Sequence, residues 1–246
     1  AYAGSELKRD SLVASFASVR PRGPDFSAMV EVSPKASLGF HRLAIMDPTP
    51  AGNQPFNLNG ASVVCNGEIY NYKELADEYE ISLTTGSDCE IILPLYQKVG
   101  LKKTCELLDG VFAFAIVDGD SMLIGRDPIG IRALFIGHRT TNSGITERLI
   151  CSEMKGLEAL CDGIMPFPPG HYAEIDLTNQ RITTEPFYHY DYAESQETNE
   201  ESVMENIRQA LVAGVDKRMM SDRPIGCLVS GGVDSSLIAA LVARHF

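Results

Sequence analysis

The chain has 246 residues, 44% of them apolar and 22% charged, and a net charge of −12. That length and balance suit a globular chain with ample material for a buried core. An acid excess of this size is repelled by nucleic acid and by anionic membranes, so neither is expected as a partner. No apolar run is long enough to cross a bilayer, and no charged-then-apolar leader opens the chain. The six cysteines (Cys65, Cys89, Cys105, Cys151, Cys161 and Cys227) are scattered without CxxC spacing. Most sit in apolar surroundings and read as small core residues, which favours a reducing, cytoplasmic setting.

In chain order, the first two-thirds read mainly as β-structure. Ala61 to Asn71 is an apolar run expected to end in a polar turn at Asn66-Gly67. Asn71 to Glu80 and Asp88 to Val99 carry helical patterns; in the second, Ile91, Ile92, Leu95 and Tyr96 share one stripe. Gly110 to Gly137 holds two apolar runs joined at Asp118-Gly119-Asp120, a hairpin signal. The run VFAFAIV is apolar on every residue, so its strand is expected to be buried on both faces. RLICSE and HYAEIDL read as further strands. The stretch from Tyr188 to Ser202 is polar and acidic, the composition of a linker. Thr198 and Glu201 then form a capping-box pattern. Val203, Ile207, Ala210, Leu211, Val215 and Met219 follow at helical spacing. Ile225 to Ser230 is predicted as a short buried strand feeding a glycine-rich turn and the helix SSLIAALVARHF.

That turn, SGGVDSS over Ser230–Ser236, carries the most specific chemistry. Gly231 and Gly232 let backbone approach an anion, and the helix behind them offers unpaired N–H groups and a partial positive end. Ser230, Ser235 and Ser236 add hydroxyl donors. Asp234 would repel a phosphate alone but suits a shared Mg²⁺. The lysine of the GxxxxGK[ST] pattern is absent, so the loop belongs to another phosphate-binding class.

The strings RGPD (22–25), FHRLAIMDP (40–48), CNGEIYN (65–71), LDGVFAFAIVD (108–118), GRDPIGIRALF (125–135), CSEMKGL (151–157) and PPGHY (168–172) resemble the class II glutamine amidotransferase domain. With DRPIGCLVSGGVDSS behind them, the chain resembles the glutamine-dependent asparagine synthetases over nearly its whole length. The resemblance implies an α+β fold: an N-terminal αββα sandwich of two mostly antiparallel sheets, of the Ntn-hydrolase type, over 1–190. Residues 191–246 would then begin an α/β parallel-sheet domain. It further implies that Arg42 binds the α-carboxylate of glutamine, that Ile45 and Met46 line the pocket, and that Asp88 holds the ammonium. Glu68 would contact glutamine too, with Asn66 and Gly67 as the oxyanion hole. Leu228 and the loop residues Ser230, Gly231, Gly232, Asp234, Ser235 and Ser236 would bind ATP, Asp234 with Mg²⁺. The substrates implied are glutamine and aspartate, and a homodimer fits as an assembly.

The family's glutaminase uses an N-terminal cysteine whose own α-amine is the base. This chain opens Ala1-Tyr2-Ala3-Gly4, like the residues that follow the family's Met-Cys-Gly-Ile and one apolar residue. As it stands the polypeptide is therefore expected not to hydrolyse glutamine. It stops one helix after the phosphate loop, so exposed apolar surface on that helix and weak ATP binding are expected. Two other readings stay open: a β-lactam-synthetase-like ligase that does not use glutamine, and a non-catalytic, degenerate amidotransferase domain.

Overall fold

The computed structural model describes residues 1–192 and 199–246, which fall into two compact units, Ala1–His189 and Tyr190–Phe246. The first unit opens with β1 (Tyr2–Ala3), α1 (Arg9–Ser18), β2 (Phe26–Ser33) and β3 (Ala36–Arg42). Then come β4 (Phe56–Leu58), β5 (Ala61–Ile69) and the helices α2 (Tyr72–Glu78), α3 (Ile92–Val99) and α4 (Leu101–Leu107). The hairpin β6 (Gly110–Asp118) and β7 (Ser121–Arg126) precedes β8 (Phe135–Thr140), β9 (Thr146–Cys151) and β10 (Gly163–Pro166). The unit closes on β11 (His171–Asp176) and β12 (Ile182–Pro186).

These strands make two six-stranded antiparallel sheets, in the orders β10-β8-β9-β1-β3-β2 and β12-β11-β7-β6-β5-β4. Ala3, Leu38 and Ile150 of the first sheet meet Val64, Ala115 and Ile124 of the second in one core. Leu12 of α1 packs with Tyr2 and Leu149 on the other face of the first sheet. Helix α3 lies against β4 and β5, and α4 against β7 and β11. The result is the four-layer αββα sandwich. It explains the all-apolar β6: Ala113, Ala115 and Val117 enter the intersheet core, while the alternate residues Phe112, Phe114 and Ile116 are buried on the helix side.

The sequence reading needs correction in three places. Asn66-Gly67 is not a turn; β5 runs through it to Ile69, because β6 continues alongside and pairs Asn66 with Ala113 and Gly67 with Phe112. In the second unit, α5 (Glu200–Asp216) ends before Met219, and α6 (Val233–Val242) follows the glycine turn. Ile225–Ser230 is not a buried strand: it is irregular and mostly exposed, since among the described residues no neighbouring strand takes its N–H and C=O groups. Cys227 on that segment is accordingly exposed, while Cys65, Cys89 and Cys105 are buried as the core reading expected. Thr198 of the capping box lies outside the described residues; Asn199 caps α5 by accepting from the Ser202 N–H at 3.1 Å. Helix α6 leaves Leu237 and Ile238 exposed and buries Leu241.

Candidate active site

A cavity of about 290 Å³ opens in the first unit. Arg42, Ile45, Met46, Asn66, Gly67, Glu68 and Asp88 all line it, and so do Ala1 and Arg132. Residues from three sequence regions are thus gathered at one place by β3, β5 and the loop that precedes α3.

The floor is the edge of β5 beyond its pairing with β4, which ends at Val63. Strand alternation puts the N–H groups of residues 65, 67 and 69 on one edge. The Cys65 N–H donates to Gln54 Oε1 at 2.6 Å, and the Ile69 N–H donates to Asp88 Oδ2 at 2.7 Å. Between them the Gly67 N–H is presented to the cavity. Glycine is required there by close approach: a Cβ on Gly67 would stand 2.3 Å from Val111 O and 2.8 Å from Phe112 Cα, both backbone atoms that cannot swing away. Gly67→Ala is expected to destabilise the chain by about 1–3 kcal/mol, read as a lower urea midpoint at unchanged slope. Beside Gly67, the Nδ2 of Asn66 is a buried donor with no protein partner. An oxygen bound in the cavity is the kind of acceptor that satisfies such a donor.

Asp88 is 3% exposed, and burial pushes its carboxyl up to about 6 against the stabilising Ile69 N–H and with Glu68 nearby adding to the rise. A carboxylate held in this state gains most from a cationic ligand. The thiol of its neighbour Cys89 is pushed up by hydrogen bonding to Cys65 and by burial, so it is no nucleophile at neutral pH.

Arg42, 6% exposed, is turned into the loop that follows β3. One terminal nitrogen donates to Thr49 O at 2.8 Å and to Asn53 Oδ1 at 2.7 Å; the other donates to Met46 O at 3.0 Å and to Asp47 O. The guanidinium therefore frames the loop carrying Ile45 and Met46. Asp47 ties this loop to the one bearing Asp88, accepting from the Gly86 N–H at 2.9 Å and from Thr49 Oγ1 at 2.5 Å. The Thr49 hydrogen bond, first among its contacts, holds the Asp47 carboxyl below its usual range. Asp25 of the RGPD string fixes the near side, accepting from the Ala44 N–H at 2.8 Å while its own N–H donates to Arg42 O at 3.0 Å.

Arg132 was not singled out in the sequence, since its partner Glu68 is remote in the chain; the two meet at 3.0 Å. The GRDPIGIR string explains its placement. The Asp127 carboxylate gathers the N–H groups of Gly130 at 2.6 Å, Ile131 at 3.0 Å and Arg132 at 3.1 Å. Arg126 Nε donates to Arg132 O at 2.9 Å. The cavity lining thus brings three arginines (Arg22, Arg42 and Arg132) and two carboxylates, Glu68 and Asp88, together, a mix of charge that suits a zwitterion.

In the second unit, Gly231 adopts φ +87°, the left-handed region, and Gly232 caps α6. Ser236 Oγ donates to Gly232 O at 2.8 Å, and the Ser230 and Ser235 hydroxyls meet at 3.0 Å. Asp234 lies in the first helical turn, and Leu228 is 99% exposed. Among the described residues no group of three or more His, Cys, Asp and Glu side chains could hold a metal ion.

The family model described as glutamine amidotransferase domain matches residues 1–209, and that described as asparagine synthase matches residues 206–246. Asparagine synthetase [glutamine-hydrolyzing] of Cricetulus griseus is 39% identical over 252 residues, covering 91% of this chain and 44% of that protein. Asparagine synthetase B [glutamine-hydrolyzing] of Escherichia coli K12 is 39% identical over 247 residues, covering 98% of this chain and 42% of that protein. The chain thus spans less than half the length of these relatives. Among solved structures, glutamine phosphoribosylpyrophosphate amidotransferase from B. subtilis superposes with TM-score 0.51 at 19% identity, covering 85% of this chain and 50% of that one. At that identity the likeness concerns the fold alone.

Proposed function

This chain belongs to the glutamine amidotransferase domain family, and we propose that it is the glutamine-hydrolysing front portion of an asparagine synthetase. The observation that carries the proposal is the convergence of Asn66 Nδ2, the Gly67 edge and Asp88 on one cavity. Asp88 and Glu68 take the α-ammonium of glutamine. Arg42 takes the α-carboxylate, trading loop carbonyls for it, so binding and the 46–53 loop move together. Asn66 and Gly67 donate to the amide oxygen as charge develops on it during attack.

The nucleophile comes from the residues leading into Ala1. Strand β1 lies between β3 and β9, paired Tyr2↔Ser37 and Tyr2↔Leu149. Carrying the β3 register backwards sets the fourth residue ahead of Ala1 opposite Arg42, at the cavity. A cysteine there, with its own α-amine as base, attacks the amide carbon; ammonia leaves, and water cleaves the thioester to glutamate. No internal cysteine supplies a free α-amine.

The second unit begins the ATP-binding domain. Ser230, Gly231, Gly232, Ser235 and Ser236 would hold the pyrophosphate at the N-terminus of α6, Leu228 would meet adenine, and Asp234 would help hold Mg²⁺, which would offset the phosphate charge. The donor set fits a polyphosphate: exposed hydroxyls, a left-handed glycine and a helix start. In the whole protein, the aspartate side-chain carboxylate attacks the α-phosphate of ATP to give the acyl-adenylate and release pyrophosphate, and ammonia then displaces AMP from it to give asparagine. A cytoplasmic setting belongs to this reading; six unpaired cysteines support it, and no described helix is long and apolar enough to cross a membrane.

Titration of the 246-residue chain with L-glutamine by calorimetry tests the pocket. Saturable binding of L-glutamine, weaker for D-glutamine and for γ-methyl glutamate, is expected. Equal affinity for all three contradicts the assignment.

A further inference from the structure

We infer that Arg132 is a positioning residue for glutamine recognition, holding the Glu68 carboxylate in place inside the cavity. The inference rests on the glutamine-pocket reading above and adds to it a residue that reading does not use.

Three observations carry it. First, the backbone of Arg132 is pinned from both sides: its N–H donates to Asp127 Oδ2 at 3.1 Å and its carbonyl accepts from Arg126 Nε at 2.9 Å. That anchoring fixes where the side chain starts, and it reaches the cavity wall. Second, its terminal nitrogen meets Glu68 Oε1 at 3.0 Å, with side-chain exposures of 28% and 20%, while Nε is buried without a partner. Glu68 is thus the group the guanidinium is directed to. Third, the other guanidinium deep in this wall, Arg42, spends both terminal nitrogens on Met46, Asp47, Thr49 and Asn53. Arg22, the third arginine of the lining, pairs with Glu153 at 3.2 Å, so Arg132 is left as the cation that pairs with Glu68. Without it, Glu68 is free to swing out to water, and the ammonium loses one of its two carboxylates. Half-shielding matters here: a pair this far from bulk water is screened less than a surface pair.

The test is a double-mutant cycle on the 246-residue chain, read as the dissociation constant of L-glutamine by calorimetry, with folding followed by thermal melting. Arg132→Gln is expected to weaken binding about tenfold, Arg132→Lys to stay within about threefold of wild type, and Arg132→Gln on a Glu68→Gln background to add less than about twofold. The same cycle with Arg132→Met, which keeps the apolar stem, serves where the glutamine variant does not fold. Binding by Arg132→Gln within twofold of wild type overturns the role of Arg132 and leaves the pocket reading standing. A tenfold loss that persists undiminished on the Glu68→Gln background overturns action through Glu68. No binding of glutamine by the wild-type chain overturns the pocket reading, and this inference with it.

Discussion

In the chain extended with the N-terminal cysteine of the proposed function, replacing Asn66 by alanine is expected to lower kcat for glutamine hydrolysis about 100- to 1,000-fold, with KM changed less than about threefold. The split follows from geometry. Asn66 Nδ2 is buried and has no protein partner, so in the proposed site its hydrogen bond goes to the ligand. The amide oxygen of bound glutamine is a modest acceptor; the tetrahedral oxyanion is a strong one. A donor that gains strength only as charge develops acts on kcat, not on KM. The removed group is small, and Asn66 lies in a strand whose backbone pairing with Ala113 survives the change, so the fold holds. Glutamate release under saturating glutamine measures it. A loss below tenfold contradicts the oxyanion role, and a matched rise in KM would place Asn66 in ground-state binding.

Asp88→Asn is expected to have the second large effect, and it points in two directions. With Asp88 as the proposed ammonium acceptor, glutamine binding is expected to weaken about 100-fold, because the ligand loses a buried charged partner. The ligand-free chain becomes more stable above about pH 6, because burial, the first cause of the raised carboxyl, makes the charged form costly. The sign follows from proton counting. An unfolded aspartate loses its proton near its ordinary value, and the folded one holds it up to about 6. Between those values the folded state binds more protons, so wild-type stability falls as pH rises through that window and is level above it. Asparagine removes the fall, because its amide has no proton to lose and its oxygen still accepts from the Ile69 N–H. Melting of both proteins from pH 3 to 8 therefore gives curves that separate between roughly pH 4 and 6, with the variant higher on the alkaline side. By the same linkage, wild-type affinity for glutamine declines as pH falls below about 6, where Asp88 takes up its proton.

How much of this was legible in the sequence varies by element. Strand β6 announced itself, because burial on two faces leaves nothing polar from Val111 to Val117, and Gly119 at φ +54° marks the turn into β7. Helix α1 escaped: RDSLVASFAS scatters its apolar residues around the helix, and none of its ten residues is fully buried. Asn66-Gly67 looked like a turn because the pair favours one in isolation. The β6 partner overrides that preference, and the glycine serves the 2.3 Å approach of Val111 O instead. The short strand Ile225–Ser230 failed for the opposite reason: local pattern without a neighbour does not make a sheet. At the site, residue types pointed to chemistry, and the family resemblance gathered Arg42, Glu68 and Asp88 before any contact was visible. The commitment of Arg42 to Thr49 and Asn53 depends on how the loop after β3 folds back, and the pairing of Arg132 with Glu68 on contact between remote segments; no spacing encodes either.

The most direct measurement of the central claim is glutamate release by the chain extended with Cys-Gly-Ile and one apolar residue ahead of Ala1, its initiator methionine removed. Glutamine hydrolysis is expected from that protein, none from the chain beginning at Ala1, and none when the added cysteine is replaced by alanine. A folded, extended protein that binds glutamine and releases no glutamate, or an unextended chain that hydrolyses it, contradicts the account.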